Sequence, residues 1–143
     1  MKNHAAGFLI CKIFPDGSAR FLGLIADKDI RKSRSGTYDI PKGKFEKGES
    51  NIDCAIRECW EESGILVAKD EIIGYPSIRN GLVIYSAFTK DEPKIRENPA
   101  SGITEHEGFS WLGEQDIIDN CLEYLRDSIV ESINNIKIHA SLK

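Results

Sequence analysis

Three carboxylates, Glu58, Glu61 and Glu62, stand at i, i+3 and i+4 within the stretch R-E-C-W-E-E-S-G of a 143-residue chain. On a helix, at about 100° per residue, they fall within an arc of roughly 100° and project from one face. Charges so crowded repel one another, and a cation offsets the repulsion. All-oxygen ligands suit a hard divalent ion, and Mg²⁺ is commonly held by one or two carboxylates together with substrate phosphates. Mn²⁺ accepts the same donors. An acidic helix face is ordinarily just solvated. Arg57 inside the cluster and Glu49 upstream of it argue against that reading, because the two can pair across the segment.

The elements that must carry these groups are written in the same segment. Gly43 and Gly48 suit a tight loop whose main chain approaches a ligand closely. Ser50 followed by Asp53 is a helix start signal. Ile52, Ala55, Ile56 and Cys59 then recur as an apolar stripe, and Gly64 marks the helix end. The segment predicts loop, helix and loop, with the acidic face turned away from the buried one.

Gly43, Glu49, Arg57, Glu58, Cys59, Glu61, Glu62, Gly64 and Ile65 together resemble the Nudix box, G-x5-E-x7-R-E-U-x-E-E-x-G-U, where U is bulky and apolar. Every fixed position agrees; Cys59 is a small residue for the first U. With each residue type near 7% of usage, a chance match is on the order of 10⁻⁷. The resemblance implies an α/β (α+β) fold: an α/β/α sandwich with a mixed sheet and a loop–helix–loop catalytic box over residues 43–65. It implies hydrolysis of a phosphoanhydride linking a nucleoside diphosphate to another group. Mg²⁺ or Mn²⁺ would sit on Glu58, Glu61, Glu62 and the Lys42 carbonyl, while an Arg57–Glu49 pair holds helix to loop.

Outside the box, Tyr38-Asp39-Ile40-Pro41-Lys42-Gly43 and Glu105-His106-Glu107-Gly108-Phe109-Ser110-Trp111-Leu112 are similar to the branch that cleaves dinucleoside polyphosphates such as diadenosine tetraphosphate. That similarity implies Glu105 as a further metal ligand or base, and Phe109 as a platform for adenine. The proton acceptor is Glu58 first and Glu105 second. A tyrosine this branch often carries after the box is not at its place here; Tyr85 lies further on. Phe109 is readable either as that platform or as a core residue, Trp111 rather as a core residue, and His106 as an orienting or surface group. Gly43, Lys42, Lys44, Arg34 and Arg79 are candidate substrate contacts. The basic run Lys28, Arg31, Lys32, Arg34, Lys42, Lys44 and Lys47 suits a polyphosphate.

Other substrates share this chemistry: a triphosphorylated RNA 5′ end, ADP-ribose, an oxidised nucleoside triphosphate or a diphosphoinositol polyphosphate. A net charge of −4 gives no support for broad nucleic-acid contact. A non-catalytic nucleotide sensor would be marked by loss of box glutamates, and none is lost.

The rest of the chain reads as one domain, residues 3–138. Hydrophobic residues at 41% and charged ones at 29% are ordinary for a globular protein. No apolar run approaches the ~18 residues of a membrane span, and no signal peptide is evident. Cys11, Cys54, Cys59 and Cys121 lack zinc spacing and read as reduced, which suits the cytoplasm. Strands are expected at Gly7–Phe14, Arg20–Ala26, Leu66–Tyr75, Leu82–Thr89 and Phe109–Leu112, with a turn at Pro15–Ser18. A basic loop follows the second strand, and Lys90–Ile103 is a polar loop. The stripe Ile117, Ile118, Cys121, Leu122, Leu125, Ile129, Ile133 and Ile136 predicts one long helix, about 114–138. It is a core face or, less simply, a dimer face, so the chain is a monomer or a homodimer.

Overall fold

The computed structural model describes residues 2–95 and 106–141. Its spine is β1 (Ala5–Ile13), apolar on both faces and so fit for the middle of a sheet. Asp16 accepts from the Ser18 amide at 2.9 Å and turns the chain into β2 (Ala19–Ala26), which returns antiparallel. Then come α1 (Lys28–Arg34), β3 (Tyr38–Asp39), β4 (Lys42–Lys44), α2 (Asn51–Ser63), β5 (Ile72–Arg79), β6 (Leu82–Phe88), β7 (His106–Leu112), α3 (Glu114–Asn120) and α4 (Arg126–Ser141). The strands make one sheet in the order β3-β2-β1-β6-β5, with β4 joined to β1 and β7 to β2. The sheet is mixed: β1 and β6 run parallel, whereas β2 and β4 lie antiparallel to β1.

Alternation along β1 divides the core in two. Ala6, Phe8 and Ile10 point to the α2 side, where Leu22, Leu24, Cys54, Ala55 and Cys59 meet them. Leu9 and Cys11 point the other way, toward Ile117, Leu122, Leu125, Ile129, Ile133 and Ile136. Each fully buried side chain of this size contributes about 1.5–3 kcal/mol. Helices thus cover both faces of a mixed sheet, the α/β/α sandwich expected. All four cysteines are free and buried. Burial pushes the thiols of Cys11, Cys54 and Cys59 up to about 12, so they stay protonated. No helix among the described residues is long and apolar enough to cross a membrane.

Four expectations need correction. The basic loop after β2 is the helix α1, opened by Asp27, whose carboxylate accepts from the Asp29 amide at 2.9 Å. The strand expected at Leu66–Tyr75 is β5, Ile72–Arg79, preceded by a 3₁₀ turn at Lys69–Glu71. Its register is set from the far end by Asn80-Gly81, both at positive φ (51° and 79°), the two-residue hairpin turn that this pair favours. The long C-terminal helix is broken into α3 and α4. Cys121 bridges to Tyr38, the Leu122 amide donates to the Tyr38 carbonyl at 2.8 Å, and Thr37 donates to the Asn120 carbonyl at 2.8 Å. Pairing with β3 replaces the helical bonds there, while the apolar stripe continues into the core. The last strand begins at His106, earlier than Phe109; most of the polar loop before it lies outside the described residues.

Candidate active site

The α2 helix starts and ends on the residues that signalled it. The Ser50 hydroxyl accepts from the Asp53 amide at 3.2 Å, and Gly64 closes the helix at φ 74°. Its buried side is Cys54, Ala55, Glu58, Cys59 and Ser63, with Ile52 and Ile56 only half-buried. The acidic and buried faces therefore meet at Glu58 rather than opposing each other.

Arg57 is the hub of the site. Its Nε donates to Glu49 Oε2 at 2.7 Å and its Nη2 to Glu49 Oε1 at 2.9 Å, joining loop to helix by a two-pronged pair. Nη1 donates to Glu58 Oε1 at 2.7 Å and to Glu61 Oε2 at 3.1 Å. Nη2 also reaches the Lys44 carbonyl at 3.0 Å. One planar fork thus orients three carboxylates and ties β4 to α2. Hydrogen bonding to Glu49 outweighs burial and holds the guanidinium pKa above its ordinary value. The same bond holds the Glu49 carboxyl below the usual carboxylate range.

The opposite wall is β4. A Cβ at Gly43 would overlap the Glu58 carboxylate, so only glycine lets the main chain pass so close. The Lys42 amide donates to Glu62 Oε1 at 2.8 Å. Lys42 lies opposite Gly7, between the ladder bonds Phe8–Pro41 and Phe45–His4. At such a non-hydrogen-bonded position, N–H and C=O both point away from β1. The carbonyl therefore leaves on the side from which Glu62 approaches.

Among the described residues no three His, Cys, Asp or Glu side chains are already gathered as a metal cage. Arg57 spans Glu58 and Glu61, and Glu62 binds main chain. The donors nevertheless fit a hard divalent cation: every one is an oxygen, and the missing Cβ of Gly43 lets the Glu58 carboxylate pack directly against the β4 main chain.

The other predicted residues divide. Phe109 pairs with Leu24 in β7 and is half-buried on the α2 side of the sheet, the side of the box. Trp111 shares that side, but it is no plain core residue: its Nε1 donates to Glu92 Oε2 at 3.0 Å. His106 is buried and meets Asp39 Oδ2 at 3.1 Å. Arg79 lies opposite Leu82, a residue of the α4-side core, and pairs with Glu131 of α4 at 2.9 Å. It stands across the sheet from the box, away from any phosphate there. Lys44 lies opposite Ala5, also of the α4-side core, so its side chain leaves the sheet away from α2. Lys42 turns its ammonium to Asp39 at 3.1 Å instead of to open space. Glu105 lies outside the described residues, and so does the side chain of Arg34. Tyr124, unnoticed in the sequence, stands over Lys42, its ring centroid 5.5 Å from Nζ. No local pattern marks it.

A family profile described as NUDIX domain matches residues 4–131. A MutT-like protein of Streptomyces ambofaciens is 26% identical over 135 residues, covering 87% of this chain and 82% of the relative. An RNA pyrophosphohydrolase of Roseobacter denitrificans is 26% identical over 133 residues, covering 76% of this chain and 80% of the relative. A solved binary complex of the C. elegans Ap4A hydrolase superposes with a TM-score of 0.60 at 22% identity, over 96% of each chain. Likeness at that identity speaks for the fold.

Proposed function

This chain belongs to the Nudix family of pyrophosphohydrolases, and from that premise we propose that it cleaves a phosphoanhydride of a dinucleoside polyphosphate such as diadenosine tetraphosphate. The observation that carries the reaction is the Arg57 fork, which aligns Glu49, Glu58 and Glu61 against a β4 main chain stripped of side chain at Gly43. The substrate rests on less: Phe109 presents a half-buried ring on the box side of the sheet, where a nucleobase can stack.

Glu58, Glu61, Glu62 and the Lys42 carbonyl are the residues that would hold Mg²⁺ or Mn²⁺. Once bound, such an ion supplies neutralisation of phosphate charge and a more acidic water. The protein's share is placement. Arg57 and Glu49 lock α2 to its loop, and Gly43 lets the Glu58 carboxylate lie against β4 beside the Lys42 carbonyl. Glu58 is our first assignment for the carboxylate that accepts the attacking water's proton. Glu105, from the family resemblance, is second. Lys42 contributes main-chain atoms, and its ammonium binds within the protein. A cytoplasmic location suits the four free cysteines.

A second reading, removal of phosphate from a triphosphorylated RNA 5′ end, draws on the α1 helix, where Lys28 and Lys32 are exposed. The two are separated by products. Diadenosine tetraphosphate, ADP-ribose, deoxynucleoside triphosphates and triphosphorylated RNA are incubated with Mg²⁺ side by side, with Glu61→Gln as the blank. ATP plus AMP from the dinucleotide, absent with the variant, is the expected result. Preferential release of pyrophosphate from RNA would replace the substrate and keep the chemistry. No turnover of any of the four would overturn both.

A further inference from the structure

Asp39 is a carboxylate at 6% exposure, far from open water. A buried charge persists only where it is paired and hydrogen-bonded. Here Ile40 donates its amide to Oδ1 at 2.8 Å, His106 Nε2 stands 3.1 Å from Oδ2, and Lys42 Nζ lies 3.1 Å from Oδ1. The Lys42 ammonium also meets Tyr124, which hydrogen-bonds it from the 3₁₀ turn Glu123–Leu125. Burial opposes charge on Lys42, but Asp39, Tyr124 and Glu62 outweigh it and hold its pKa above the ordinary value. Burial likewise pushes Asp39 up, and Lys42 and His106 more than reverse it. Three stretches distant in sequence thus converge here: Asp39 and Tyr124 meet the Lys42 ammonium, and His106 of β7 backs Asp39. The same residue donates its main-chain amide to Glu62. One residue therefore connects a buried ion pair to the acidic face of α2.

We propose that Asp39, His106 and Tyr124 are positioning residues: Asp39 and Tyr124 grip the Lys42 ammonium, His106 holds Asp39, and together they fix the Lys42 main chain, and with it Glu62 and the Lys42 carbonyl, in the geometry that binds a divalent cation. This rests on the reading of the box as a cation site. It gives the lysine a role unlike the phosphate clamp its sequence position suggests. The side chain is an anchor, and its main chain does the binding.

The test is direct titration of metal-free protein with Mn²⁺, followed by the electron paramagnetic resonance signal of free Mn²⁺ and with no substrate present. Outer residues that orient metal ligands typically change affinity by about 10–100-fold. Asp39→Asn and Lys42→Met should weaken Mn²⁺ binding by about that factor. His106→Gln, which keeps a donor toward Asp39, should bind more tightly than His106→Ala. Ile129→Val, in the core across the sheet from the box, should lower Tm and leave the Mn²⁺ Kd unchanged. If Asp39→Asn does not fold, Lys42→Met decides alone, since it keeps the main chain. Wild-type affinity in Lys42→Met, with binding lost in Glu61→Gln, would overturn the anchor while sparing the cation site. Wild-type affinity in Glu61→Gln would bring down the cation site itself. An equal loss in Ile129→Val and Asp39→Asn would reduce the assembly to ordinary structural support.

Discussion

The α4 helix lies on its face of the sheet through Ile129, Ile133 and Ile136, all buried, and its ion pairs to Arg79 and Glu114 sit at the exposed rim. The α2 helix reaches the other face through the smaller Cys54, Ala55 and Cys59, and through an Arg57-centred set of charged hydrogen bonds to β4 and the loop before it. Apolar burial is non-directional and tolerates small shifts; exposed rim pairs add ~0–1 kcal/mol. A guanidinium fork is directional and adds geometric specificity as well as energy. Both faces of this sheet bury apolar side chains, but the α2 face adds directional bonds that hold oxygens in place. Stability and chemistry should therefore respond to different substitutions.

The sharpest separation comes from Glu58→Gln. It should lower kcat by about 10²–10⁴-fold, the range for a proton-transfer group, while calorimetry shows Tm little changed. Ile129→Ala should do the reverse, costing about 2–5 kcal/mol by denaturant melt, with kcat per folded molecule preserved. A large loss of kcat in that variant would break the division between the faces. Gly43→Ala pushes a methyl group into the Glu58 carboxylate; a misplacement of that size costs roughly 10²-fold in rate, read as kcat in the same assay. Acid stability gives the smallest effect. The Glu49 carboxyl is held low by Arg57, so its stabilisation is complete above its unfolded pKa of about 4.3. It is lost as pH falls through the lower folded value. Melts between pH 5 and 2 (about the span of that window) should show a shallower loss in Glu49→Gln than in wild type, and an unchanged slope in Ile129→Val.

The two faces also differed in how far the sequence displayed them. The box was readable because its contacts are local: Ser50 with Asp53, Glu49 with Arg57, Gly64 at the helix end. Spacing alone carries such pairs. What was missed depends on distant partners or on signals of one or two residues. The break between α3 and α4 comes from pairing with Tyr38, which no pattern around Cys121 announces. Asp39 and His106 are 67 residues apart. Arg79 was grouped with the phosphate ligands by charge, and register put it across the sheet opposite Leu82. Asn80-Gly81 was a legible turn whose weight was overlooked, and it moved β5 toward the C-terminus. Asp27 was likewise a visible cap for α1, masked by the lack of any apolar period in the basic run.

The central claim is that the α2 face, and not the α4 face, binds a divalent cation as a unit with the fold. It is tested most directly by Tm with and without Mg²⁺ in wild type, Glu61→Gln and Ile129→Val. A ligand at 100 times its Kd adds about 2.7 kcal/mol to the native state. Mg²⁺ should raise Tm by the same increment in wild type and Ile129→Val, and leave Glu61→Gln where it was. An equal increment in all three, or none in wild type, would contradict the account.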